Sequence, residues 1–146
     1  MEEINPGLVT EAKPKRPVLL TILCIMTFAG SGLNLVSSFL ISVFYSAFQT
    51  IGGEIAKSFN MPAMEMILNA PPAFFLVSSI LYAFSTFGAL EMWKLRKRGF
   101  HLYTVSQILL VMMPMYFFSL SLPYYPDVIF SAVFVLLYSV NLKNMS

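Results

Sequence analysis

Residues 73–120 read AFFLVSSILYAFSTFGALEMWKLRKRGFHLYTVSQILLVMMPMYFFSL. Two apolar runs of about 21 residues flank one basic turn, Lys94 to Gly99. A helix rises about 1.5 Å per residue, so each run matches a hydrocarbon core about 30 Å thick. The stretch reads as a hairpin of two membrane-spanning helices, 73–93 and 100–120, and the short turn makes them antiparallel neighbours. Pro114 is expected to bend the second of these near its far end.

Upstream, apolar sequence continues from Val18 to Phe48, about 31 residues or about 47 Å of straight helix. Such a first span, 18–48, must tilt, bend near Gly30 and Gly32, or protrude beyond the lipid. Protrusion ending at Gly52-Gly53 is the expectation. The start resembles a signal peptide, with Lys13, Lys15 and Arg16 before an apolar run and then Ala29-Gly30-Ser31. Hydrophobicity persists from Leu33 to Phe48, which points to an uncleaved anchor, and Leu23 before Cys24 is too large for a lipoprotein signal. Residues 1–16 are polar, carry Pro6, Gly7 and Pro14, and read as a mobile cytoplasmic tail.

In the loop between the first two spans, Asn60 is expected to cap a short helix with Pro62 in its first turn, ending near Leu68. Met61, Met64, Ile67 and Leu68 would share one face and lie flat on the membrane. Pro123 to Pro126 form the turn into the last span, 127–142. The expected architecture is all-α: residues 17–146 form one integral membrane four-helix bundle. A short extracytoplasmic amphipathic helix separates spans one and two.

Composition agrees. Of 146 residues, 58% are apolar and 11% charged, whereas soluble domains carry about a quarter charged residues. Lipid is the solvent that suits such a surface. The pI of 8.7 does not indicate nucleic acid, because the net charge is only +2 and the basic residues sit at membrane edges. Lys13, Lys15, Arg16, Lys94, Arg96, Lys97, Arg98 and Lys143 fall on one side. Lys57 alone falls on the other, beside Glu54, Glu65 and Asp127. The positive-inside rule then places both termini in the cytoplasm, with Trp93 and Tyr103 at the inner interface.

The segments Lys15-Arg16-Pro17-Val18-Leu19-Leu20-Thr21-Ile22-Leu23-Cys24 and Met92-Trp93-Lys94-Leu95-Arg96-Lys97-Arg98-Gly99-Phe100 resemble a group of small, uncharacterised bacterial four-span inner-membrane proteins. That resemblance covers about a quarter of the chain. It implies a bacterial cytoplasmic membrane and no particular activity. Small multidrug exporters also have four spans but rely on a mid-membrane glutamate in the first helix. This chain has Asn34 in that region.

Chemistry-bearing residues are few. Cys24 is the one cysteine and His101 the one histidine, which excludes an intrachain disulfide, a CxxC motif and a histidine-based metal site. Gly30-Ser31-Gly32 lacks the lysine of a phosphate-binding loop. No catalytic constellation or cofactor is expected, so the chain reads as a non-enzyme. Met61, Met64 and Met66 offer soft thioethers that suit Cu(I), although methionine is also an adaptable packing residue. Glu91 is expected to pair with Lys94 or Arg98 at the membrane edge.

Polar residues inside the spans are expected to hold the helices together. Gly30, Asn34, Ser38, Ser42 and Ser46 recur every four residues on the first span; Ser78, Tyr82, Ser85 and Ala89 share a face of the second. Counting depth at about 1.5 Å per residue pairs Gln107 with Ser85 or Thr86, and Asn34 with Ser78 or Ser79. The expected function is association through these seams, as an accessory subunit of a membrane complex or a homo-oligomer. The alternative is a small transporter or channel lined by the polar stripe of span one. Packing uses up the stripe in the first case; a cavity exposes it in the second.

Overall fold

The computed structural model describes residues 15–119 and 125–146. Its helices are α1 (Val18–Val43), α2 (Tyr45–Phe59), α3 (Pro62–Leu68), α4 (Pro72–Trp93), α5 (Lys97–Phe118) and α6 (Tyr125–Val140), followed by a 3₁₀ turn, Asn141–Asn144. The expectations for the polar N-terminal tail, and for the start of the turn at Pro123, concern residues outside these ranges. Four helices are long and apolar enough to cross a bilayer: α1, α4, α5, and α6 with its 3₁₀ extension. Ile22, Ile25, Leu33, Phe87, Ile108 and Leu136 all lie exposed on them, a surface that lipid solvates and water does not. This is a small multi-span helical membrane protein.

Prolines set two of the starts. Pro62 opens α3 and Pro72 opens α4, positions where the missing N–H costs no helical bond. Pro114 lies inside α5, but the helix continues through it to Phe118, and Ser119 ends it at φ 51°.

The first apolar run differs from expectation. α1 ends at Val43, and its break falls at Phe44 (φ −104°, ψ 38°) rather than at Gly30 or Gly32. Helical hydrogen bonding carries across the break, from Phe44 N–H to Leu40 O (2.8 Å) and from Phe48 N–H to Phe44 O (3.0 Å). Together α1 and α2 run about 63 Å, twice the apolar thickness of a bilayer. Gly52 and Gly53 lie within α2 and do not end it. A Cβ on Gly52 would come 2.7 Å from Leu68 Cδ2, so glycine there lets α3 fold back on α2.

Asn60 does not cap α3. It closes α2 in the left-handed conformation (φ 50°, ψ 53°), which asparagine tolerates better than most residues; Met61 is the N-cap of α3. The apolar positions of α3 divide: Leu68 is buried, while Met61, Met66 and Ile67 are exposed. Tyr45 Oη donates to Ala70 O (2.7 Å) and Gln49 Nε2 to Leu68 O (3.2 Å), so α2 also satisfies carbonyls where α3 ends. We call this the hairpin end of the bundle.

At the opposite, basic end, Leu95 takes φ 60° in the tight turn between α4 and α5. The chain's last described residue joins that turn: Ser146 N–H donates to Leu95 O (2.9 Å), and Lys97 N–H to Ser146 O (3.2 Å). The Arg16 guanidinium stacks on Trp93, 4.5 Å from the ring centroid. α4 and α5 meet backbone to backbone where Gly88 faces Gly99. A Cβ on Gly88 would lie 2.8 Å from Tyr103 N and 2.9 Å from Gly99 O. α4 packs along both α1 and α5, whereas α6 touches its neighbours much more sparsely.

Candidate functional site: a polar crevice beneath the hairpin end

Helical periodicity selects the α1 face that meets α4. Leu20, Leu23, Cys24, Thr27 and Ser31 are its buried members, at the three- and four-residue steps of one helix face. Ser31 Oγ and Ser85 Oγ are 3.0 Å apart. Gln107 Nε2 donates to the same Ser85 Oγ (3.0 Å), and Gln107 Oε1 accepts from Ser131 Oγ (3.0 Å). One chain of hydrogen bonds thus links α1, α4, α5 and α6 at mid-depth. Gln107 and Ser85 meet, as residue counting placed them; Thr86 instead bonds back to Tyr82 O (2.9 Å).

Asn34 makes no clasp with Ser78 or Ser79. Its Nδ2 donates to Gly30 O in its own helix (2.8 Å), and Ser78 Oγ donates to Met113 Sδ (3.9 Å). The error is one of rotation. Three residues before Asn34, Ser31 faces α4; at about 100° per residue Asn34 lies about 60° around the helix from that seam.

What Asn34 faces is a crevice of about 360 Å³ between α1, α4, α5 and α6. Its polar lining includes Thr27, Ser31, Asn34, Gln107 and Ser131, its aromatic lining Tyr82, Tyr103, Phe130 and Phe134, and its only charged residue among the described ones is Asp127. Asp127 makes no hydrogen bond or ion pair with the described residues and is exposed. It sits in the first turn of α6, towards the hairpin end. On the other side of the Gln107–Ser131 bridge lies an apolar groove of about 280 Å³ along α5 and α6. A single side-chain hydrogen bond therefore separates two openings beside α6.

Towards the basic end the crevice is closed. Thr27 Oγ1 and Tyr138 Oη are 2.8 Å apart, and the Tyr103 and Tyr138 rings meet edge to face with centroids 5.0 Å apart. Leu20, Leu23, Cys24, Ala89 and Met92 complete a buried floor. Tyr103, read from the sequence as an inner-interface residue, is buried between the helices. Cys24 Sγ donates to Ala89 O (3.7 Å), a packing role for the lone thiol.

Glu91 holds Arg96 (3.1 Å) and Lys94 (3.7 Å) and does not pair with Arg98. The reversal at Leu95 brings Arg96 N–H onto Glu91 O (3.0 Å) and its guanidinium onto the carboxylate; Arg98 has already entered α5. In α3, Met64 and Met66 point about 200° apart around the helix axis, so they do not converge on one ion. Among the described residues no three His, Cys, Asp or Glu side chains gather as metal ligands. His101 is exposed, its ring 5.8 Å from Phe100.

Comparison with family models, curated proteins and solved structures finds no match to this chain. The class is therefore defined by architecture alone: a four-span helical membrane protein with a polar crevice closed at its basic end.

Proposed function

We propose that the protein is a non-enzymatic binding protein of the transporter class, which admits a small ligand to this crevice from the hairpin end. The observation that carries the reading is that Asn34 and Gln107 line one cavity. Polar groups at mid-depth in a membrane are retained where they pair or where they contact a ligand or water, and Asn34 reaches no other helix. The volume lies within the range of small-molecule sites. The eight-to-one basic asymmetry supports a cytoplasmic basic end, with the crevice opening extracytoplasmically; a bacterial inner membrane is what the sequence resemblance implies.

Thiol labelling in a Cys24→Ser background tests both points. With Lys57→Cys, an impermeant reagent should react from outside intact cells; with Lys97→Cys it should react only after lysis. With Asn34→Cys, labelling from outside supports the crevice, and labelling from inverted vesicles as well supports alternating access. A thiol at position 34 that reacts from neither side refutes the reading.

A second reading, association as an accessory subunit or homo-oligomer, is favoured by α2. Ile51, Ile55 and Phe59 recur on one exposed face of it, beyond the length α1 needs to cross the bilayer. Pull-down from native membranes in mild detergent would retain a partner, or a second copy, on that account.

A further inference from the structure

We infer that the crevice selects a lipophilic organic cation, an ammonium group carried on an apolar body, with Asp127 as its counter-ion. The inference rests on the crevice reading above and specifies its ligand. Four observations converge on it. Among the described residues Asp127 is the only charged one of the lining, and no Lys, Arg or His accompanies it. Its carboxylate is not committed to another described side chain. Tyr82, Tyr103, Phe130 and Phe134 contribute aromatic rings to the same lining, and aromatic faces attract cations, more strongly where water is excluded. Asn34, whose Nδ2 is used within α1, keeps its carbonyl oxygen as a further acceptor.

Charge sign excludes the opposite class. An anion entering here would meet a carboxylate, and neither an ammonium nor a guanidinium group lines the wall. A neutral apolar ligand would gain from the rings but nothing from Asp127. A carboxylate in the first turn of a helix also complements the helix dipole; that role needs no ligand and leaves the cavity blind to charge. The ammonium has two possible sources, a soluble amine or the headgroup of a lipid such as phosphatidylethanolamine, and the chemistry of recognition is shared.

The test uses the full chain carrying Cys24→Ser and Asn34→Cys, in nanodiscs of phosphatidylglycerol, so that both faces are accessible. The thiol at position 34 is labelled with a cationic trimethylammonium-ethyl and an anionic sulfonatoethyl methanethiosulfonate. Each rate is normalised to that of a free thiol. The cation should be preferred at least about tenfold over its preference in an Asp127→Asn variant, as expected for one unit charge across such a cavity at an effective dielectric of about 20. Asp127→Glu should restore the preference. Reaction with both reagents at equal normalised rates, unchanged by Asp127→Asn, overturns the cation inference and leaves the crevice reading standing. No reaction with either overturns both.

A second arm identifies the source. Benzyltrimethylammonium should slow labelling if soluble amines bind, and its neutral isostere neopentylbenzene should not. Adding phosphatidylethanolamine to the discs should slow labelling if a headgroup binds. Protection by neither ammonium source overturns the inference.

Discussion

The two ends of α6 meet the rest of the bundle in opposite ways. Near the basic end, Tyr138 is fully buried, bonded to Thr27 and set edge to face against Tyr103. One helical half-length away, Asp127, Phe130 and Ser131 look into a crevice, and Gln107 supplies the only side-chain hydrogen bond from α5 to α6 among the described residues. Both ends are similarly apolar in sequence. The difference lies in what faces them: an edge-to-face ring pair and small residues at one end, and at the other amides and hydroxyls joined by single hydrogen bonds around an open crevice. In lipid, where apolar surface alone does not drive helices together, close fit decides which half of α6 is fastened.

The sharpest way to break this comparison is Tyr138→Ala. Truncating a buried aromatic should cost about 3–5 kcal/mol, read as a loss of unfolding free energy in detergent followed by circular dichroism. A loss below about 1 kcal/mol would mean that the basic end is no better fastened than the crevice end. Gly99→Ala comes next. A Cβ on Gly99 would collide with Gly88 O and lie 2.6 Å from Met92 N; these are backbone atoms and cannot swing aside. Overpacking of this kind costs about 1–3 kcal/mol, and the same titration should report it. A neutral outcome would show that α4 and α5 are free to move apart.

The four spans were legible because membrane thickness, run length and basic turns are all one-dimensional properties. The pairing of Gln107 with Ser85 was legible because a tight turn fixes both the depth and the adjacency of two helices. The α1 seam was not. A strict four-residue spacing advances about 40° per step, so Gly30, Asn34, Ser38, Ser42 and Ser46 spiral about 160° around the helix and cannot share one interface. The buried set Leu20, Leu23, Cys24, Thr27 and Ser31 recurs at steps of three and four, a signal present in the sequence but overshadowed by the more polar stripe. Tyr138 gave no local signal, because its partners Thr27 and Tyr103 are brought by α1 and α5 from distant sequence; Asp127 gave none of its place in the crevice, because the other walls come from α1, α4 and α5. Asn60 was misassigned for a different reason: asparagine suits both the start of one helix and the left-handed end of another.

The smallest effect is also the one that separates the two faces of α1. Ser31 and Asn34 lie within one turn of each other and both line the crevice, but only Ser31 bonds to another helix. Ser31→Val removes the link to Ser85 and should cost about 0.6 kcal/mol, up to about 1.7 kcal/mol, the range measured for interhelical hydrogen bonds in membrane proteins. Asn34→Leu removes an amide whose only bond is to its own helix, so stability should change by no more than about 0.5 kcal/mol. Its effect should fall on ligand access instead, since Leu withdraws a polar group from the wall without emptying space. Unfolding titrations of the two variants in one detergent give the comparison directly. If Asn34→Leu costs as much as Ser31→Val, Asn34 holds the bundle together after all, and the crevice is a gap in packing instead of a site.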